Sequence, residues 1–210
     1  MRRNAFKIIT LFVVVFFCMP ALAQEEKSLS DRFSYGVEWG YSQCFLLARD
    51  YNFLSEEGYR VFEQYTDFDW HANGQIFARV GFSLTDRTQI SLLGGYFGTG
   101  ENNRLLPALL RLAYFPATER QDGWQFWLQG GPAWHVHAIA GKMALLADAG
   151  AGYRLCLHPA CSMDLLVGLK YLYDHPSIPN PEAPGNVPAH NIRKNVAGYC
   201  ALDISIAFSF

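Results

Sequence analysis

The chain has 210 residues, with 17 Lys and Arg against 19 Asp and Glu for a formal charge of −2, and 15% of its residues are aromatic. That balance offers no basic surface for nucleic acid, and the length suits one domain. After the N-terminal leader no apolar run approaches the roughly 20 residues of a membrane helix, so any crossing must be made by strands closed into a barrel, which leaves no backbone group unpaired in hydrocarbon.

The leader itself reads as a secretory signal. Arg2, Arg3 and Lys7 are basic, Ile8 to Phe17 is apolar, and Ala21-Leu22-Ala23 supplies a small-residue cleavage site. The expectation is a signal peptide over 1–23 and one exported domain over 24–210; an uncleaved anchor helix is the alternative. Cys18 follows Phe17 instead of a small residue, which argues against lipid attachment. Four cysteines lie beyond the leader: Cys44, Cys156, Cys161 and Cys200. Cys156 and Cys161 flank "LHPA", a candidate disulfide across a turn in an oxidising compartment, with four unpaired thiols as the alternative.

From there, period-two alternation recurs. "RFSYGVEWGYSQCF" puts Phe33, Tyr35, Val37, Trp39 and Tyr41 on one face, and "GQIFARVGFSL" puts Ile76, Ala78, Val80, Phe82 and Leu84 on one face. "TQISLLGGYF", "RLLPALLRLAYF", "WQFWLQGGPAW", "MALLADAGAGYRLCL", "SMDLLVGLKYLY" and "VAGYCALDISIAFSF" follow, making eight segments long enough for tilted bilayer crossings of about 9 to 11 residues. Connections after the second, fourth and sixth are short. Those after the first, roughly Leu47 to Asp69, and the seventh, "DHPSIPNPEAPGNVPAHNIRKN", are long, the second of these expected as an extended, solvated, mobile loop. Phe62, Thr66, Phe68, Trp70, Ala72 and Gly74 keep the parity of the second segment, which predicts a hairpin projecting beyond the membrane; a short helix started by Ser55 is the alternative.

Alternation alone fits both a membrane barrel and a soluble lipocalin-like barrel with an apolar ligand cavity. Two features separate them. Trp124 and Trp134 cap both ends of one strand face, and Tyr41, Tyr96, Tyr114, Tyr153 and Tyr171 fall toward strand ends on the apolar face, as an interfacial girdle would. Glu38, Arg79, Arg111, Asp148, Arg154, Asp164, Lys170 and Asp203 all fall on the opposite face, otherwise rich in Gly, Ser and Ala. Four acids and four bases balance, which predicts a lumen plugged by an ion-pair network in a barrel too narrow for a wide channel. The fold class expected is therefore all-β, an eight-stranded antiparallel up-and-down transmembrane β-barrel.

The final stretch "DISIAFSF", with Phe208 and Phe210 on its apolar face, resembles the C-terminal assembly signal of bacterial outer-membrane β-barrel proteins. The whole strand pattern is similar to the small eight-stranded barrels of the OmpA and OmpX type. That resemblance implies a bacterial outer-membrane location, contact with outer-membrane lipid, and insertion by the barrel assembly machinery.

Chemistry is sparse. His135 and His137 share a strand face near the rim, a spacing that suits a metal or a base, but the His-x-Ser pair that lipid A deacylases of this class resemble is replaced by His-x-His and Ala138. The expectation is solvated rim histidines, no metal, no cofactor, no nucleic-acid partner, and a monomeric, non-enzymatic protein supporting envelope integrity or surface contacts. A lipid A deacylase or acyltransferase is the alternative. Tyr51, Phe53, Tyr59, Phe62 and Tyr65 in the first long connection are the candidate contact surface.

Overall fold

The alternating segments form strands that satisfy one another's backbone groups around a full circle. The computed structural model describes residues 30–99, 103–136 and 143–210; the expected leader, 1–23, lies outside these. Among the described residues nine strands are formed: β1 (Phe33–Leu54), β2 (Arg60–Asp67), β3 (His71–Thr85), β4 (Thr88–Thr99), β5 (Asn103–Tyr114), β6 (Gly123–His135), β7 (Met143–His158), β8 (Cys161–Asp174) and β9 (Ile192–Ser209). All neighbours pair antiparallel, β1 with both β2 and β3 and then β3 to β9 in chain order, and β9 returns to β1. Beside β1, β2 takes Leu47 to Leu54 and β3 takes Phe33 to Cys44, so β2 and β3 are one stave broken at 68–70. The barrel thus has eight staves and no free edge within its wall.

Register places the two faces as a period of two requires. At the seam, Val37 stands opposite Phe208, Trp39 opposite Ile206 and Tyr41 opposite Ile204, all facing outward and exposed. Phe210 continues the seam by donating its amide to the Tyr35 carbonyl at 2.7 Å and accepting from the Tyr35 amide at 2.9 Å. A register shift between Cys44 and Leu46 marks where β1 leaves the regular wall. Beyond it β2, β1 and β9 continue as a three-stranded blade.

The blade settles the choice between hairpin and helix after Ser55. The Ser55 hydroxyl does accept the Glu57 amide at 3.0 Å, as at a helix start, but the chain turns instead: the Ser55 amide donates to the Tyr59 carbonyl at 2.9 Å and Gly58 takes φ +88°. Residues 60–67 then pair with β1, whose otherwise unpaired edge offers a full ladder of backbone partners.

The Pro-rich seventh connection departs from expectation. It is docked against the blade, because its few apolar residues find a partner there: Ile178 and Val187 pack with Phe53, each of the three buried, against Tyr51, Val61 and Ile192. Val187 donates its amide to the Ile178 carbonyl at 2.9 Å, Arg49 donates to the Ser177 carbonyl at 3.1 Å, and Ser55 bonds the Glu182 carboxylate.

The Cys156–Cys161 disulfide is likewise not formed; all four described cysteines are free thiols. Cys156 opposes Ser162, while Cys161 opposes His158 across a register shift, so the two thiols fall on opposite parities of the sheet. A bridge needs side chains that converge, and this pair diverges.

Candidate functional site

The barrel exterior is an uninterrupted apolar belt. Among the described residues, the outward positions from Tyr35 to Tyr41, Ile76 to Phe82, Leu106 to Tyr114, Trp124 to Trp134, Met143 to Tyr153, Met163 to Tyr171 and Leu202 to Phe210 carry no charged side chain. Exposed Leu128, Leu169 and Ile204 lie in it, at 60%, 62% and 58% of full exposure, and in water such a surface would aggregate. In hydrocarbon it is the required surface, since Arg or Lys there would cost about 2 to 4 kcal/mol at the midplane. Aromatic rings border the belt at both ends. Tyr114, Trp124 and Tyr153 stand toward the end with short turns, the last two edge to face at 5.7 Å; Tyr41, Tyr96, Trp134 and Tyr171 stand toward the end with long connections. Phe68 and Trp70, stacked at 5.6 Å and both exposed, extend this second ring at the break between β2 and β3.

Inside, all eight charged residues singled out in the sequence are buried. They form three linked groups. Arg154 grips Asp164 with two nitrogens at 2.6 and 2.7 Å, and Arg79 approaches the same carboxylate at 3.6 Å while bonding the Ser209 hydroxyl. Arg111 on β5 spans the lumen to Glu38 on β1, donating at 2.7 and 3.1 Å, and donates to Gln129 at 2.8 Å; the Gln129 amide in turn donates to Asp148 at 3.0 Å, and the Ser205 hydroxyl donates to Glu38 at 3.1 Å. Lys170 holds Asp203 and the Gln75 carbonyl, each at 2.6 Å. Such groups tolerate burial when charge and hydrogen bonds are both answered, and the answer is incomplete at two carboxylates: Oδ1 of Asp148 and Oδ1 of Asp203 are buried without a hydrogen-bond partner, and Asp148 makes no ion pair among the described residues.

Aromatic faces complete the packing. The Arg111 guanidinium lies 4.8 Å from the Trp127 ring centroid, Arg154 4.4 Å from Phe115, and Lys170 4.9 Å from Phe97. Glu119, from the turn after β5, enters the short-turn end, where its carboxylate accepts from Gln89 at 2.9 Å and from Ser83, and its carbonyl accepts from Arg154 at 3.1 Å. Sequence reasoning assigned that residue to a plain connection.

The inward face also holds what sequence parity alone did not single out. Phe77, Leu93, Phe97, Leu105, Leu109 and Leu172 fill the lumen toward the long-connection end, together with Cys44 and Tyr199. The inward face thus interleaves charged and apolar side chains, with the larger apolar cluster toward the long-connection end and a smaller one of Ala113, Phe115, Trp127, Leu166 and Ala207 toward the short turns. The signal was present in "LLPALLRLAYF", where both parities are apolar, as they must be in a strand buried on one side by lipid and on the other by a packed interior.

At the rim, His135 meets a partner that the sequence did not reveal: its Nε2 lies 2.7 Å from Oδ1 of Asp174, a fully buried carboxylate on β8. His137 lies outside the described residues. Among the described residues no cluster of three His, Cys, Asp or Glu side chains is arranged to hold a metal.

No protein-family model and no curated protein matches the sequence. Among solved structures the chain is similar to outer membrane protein OprG from Pseudomonas aeruginosa (12% identity, 84% of this chain and 95% of that one, TM-score 0.48) and to Neisserial surface protein A (10%, 82% and 95%, 0.44). It is also similar to the outer membrane protease OmpT from Escherichia coli (8%, 90% and 99%, 0.43).

Proposed function

We propose that this chain is a non-enzymatic outer-membrane barrel whose filled interior serves as a rigid mount for its protruding blade, contributing to envelope integrity or surface contact. The carrying observation is the lumen, which is filled by buried ion pairs and by the apolar side chains Phe77, Phe97, Leu105, Leu109 and Leu172 packed among and beside them. In this reading residues 1–23 are removed on export, the short turns face the periplasm, and the blade with Tyr59, Phe62, Phe68 and Trp70 exposed faces outward. Phe208 and Phe210 present the assembly signal, and the protein acts as a monomer in outer-membrane lipid.

Planar-bilayer recording tests the plug: the purified protein gives no sustained large conductance, and a stable, weakly selective channel would overturn the reading. The blade is tested by detergent sensitivity of cells lacking the protein. Wild type restores resistance and the double variant Tyr59→Ser, Phe62→Ser does not; full restoration by that variant would remove the blade from the function.

A second reading is lipid modification, favoured by the His135–Asp174 pair, in which the carboxylate fixes the imidazole as it would for a general base. Mass spectrometry of lipid A with and without the protein decides it. A mass shift abolished by His135→Ala would make this an enzyme.

A further inference from the structure

The outer end of the barrel wall carries a cavity of about 480 Å³ that neither the lumen nor the blade tip uses, lined by Met143, His175, Ile192, Arg193, Lys194, Asn195 and Val196. Three strands create it. β7 begins at Met143, β8 ends at Asp174, and β9 begins at Ile192, so their ends leave a notch between staves. Register fixes its orientation. Leu145 pairs with Tyr173 and Asp174 with Ala197, and Met143 is an exposed neighbour of Trp134 on the lipid face. Met143, Lys194 and Val196 carry the outward parity, one step above the outer aromatic ring to which Trp134 and Tyr171 belong, whereas Ile192 and Asn195, opposite Phe53 and Tyr51, face the docked seventh connection.

Its lining changes character with height. Met143 and Val196 at its foot are apolar, whereas Arg193, Lys194 and His175 are cationic or can become so. Asp50 engages Lys194, so one of these charges is partly answered; Arg193 makes no ion pair among the described residues. His175 is held by its edge-to-face contact with Tyr173 at 5.1 Å, and its Nδ1 is buried without a hydrogen-bond partner. Asn195, 5% exposed, is tied to the Pro176 carbonyl through its amide nitrogen while its Oδ1 is unpartnered. A basic rim over an apolar wall, at the height where acyl chains give way to headgroups, complements an amphiphile with a negative head.

We infer that this notch is a binding site for the phosphate of a membrane lipid, with Arg193 and Lys194 engaging the phosphate oxygens, a His175 ring N–H offering a further donor, and Met143 and Val196 packing the first carbons of the chains. Arginine and lysine near a membrane surface each contribute attraction to anionic heads, and the guanidinium suits bidentate phosphate contact. This inference rests on insertion of the barrel in a bilayer, and on neither the closed lumen nor the absence of catalysis.

Native mass spectrometry of the purified full chain in detergent tests it, with dioleoyl phosphatidic acid, dioleoylglycerol and inorganic phosphate as separate probes. Wild type retains phosphatidic acid in preference to dioleoylglycerol, and the double variant Arg193→Gln, Lys194→Gln lowers that retention about tenfold. Arg104→Gln, which removes an exposed base on β5, leaves it unchanged. Heat-modifiable gel migration of every variant shows that the barrel is folded, so failure of the fold and failure of the site are distinguished. Equal retention by wild type and the double variant would overturn the site. Equal loss in Arg104→Gln would reduce it to general surface charge, and displacement of the lipid by inorganic phosphate at equal concentration would make it a free-anion site; both outcomes refute the inference.

Discussion

Replacing Arg111 by Met tests the ion pair that spans the lumen. Arg111 is 2% exposed and donates to both Glu38 oxygens and to Gln129, with its guanidinium over Trp127. Met keeps much of the side-chain volume but leaves Glu38, itself 2% exposed, with the Ser205 hydroxyl as its remaining hydrogen-bond donor. Breaking one partner from a buried pair costs about 3 to 5 kcal/mol, mostly the penalty of the stranded charge. Replacing both partners removes that penalty, so Arg111→Met with Glu38→Met is expected to regain most of the loss. The assay is urea unfolding of the barrel refolded into lipid vesicles, followed by tryptophan fluorescence and by the gel shift of the folded form, with the four proteins arranged as a double-mutant cycle. Loss of under about 1 kcal/mol in Arg111→Met, or strict additivity of the two changes, would refute the claim that this pair organises the lumen.

Three further outcomes follow from other parts of the molecule. A Cβ at Gly168 would lie 2.5 Å from Cη2 of Trp127 and 2.9 Å from Oδ1 of Asp148, so Gly168→Ala is expected to destabilise by about 1 to 3 kcal/mol through overpacking, whereas Gly94→Ala, which meets nothing within 4 Å, stays neutral or gains up to about 1 kcal/mol; equal effects in the same unfolding assay would contradict the lumen packing. Hydrogen bonds from the Ser55 hydroxyl first, and then from Tyr59, hold the Glu182 carboxyl below the usual range. Its folded value being depressed, the docking it contributes is present above the unfolded glutamate value and is lost as pH falls through the folded one. The protection of amides over residues 176–191, taken relative to the intrinsic exchange rate at each pH, should therefore fall on acidification and lose that dependence in Glu182→Gln; a pH dependence unchanged by the variant would show that another group controls the loop. Finally, Phe210→Ser removes the last outward aromatic of the seam and should lower the fraction of heat-modifiable barrel in outer-membrane preparations, while unchanged yield would separate this residue from assembly.

The closed all-β wall was legible in the sequence because strands carry a period of two, and one-residue slips are forbidden when each face meets a different medium. Trp39, Leu128 and Ile204 declare an outward face, and Glu38, Arg111 and Asp164 an inward one, without knowledge of any neighbour. What alternation cannot encode is which side chains meet across a lumen. Glu38 and Arg111 are separated by 73 positions and approach because closure brings β1 and β5 to facing sides of the same interior. The same holds for His135 and Asp174, 39 positions apart, and for the entry of Glu119 from a turn. Inward Phe77, Leu93 and Leu109 were hidden for a related reason: a residue's parity states the face, whereas tilt and register decide which charged or apolar side chains of other staves it meets there. The seventh connection shows the limit from the other side, since its Pro-rich composition describes a chain without partners, and only the nearby Phe53 and Val61 supply an apolar surface on which Ile178 and Val187 come to rest.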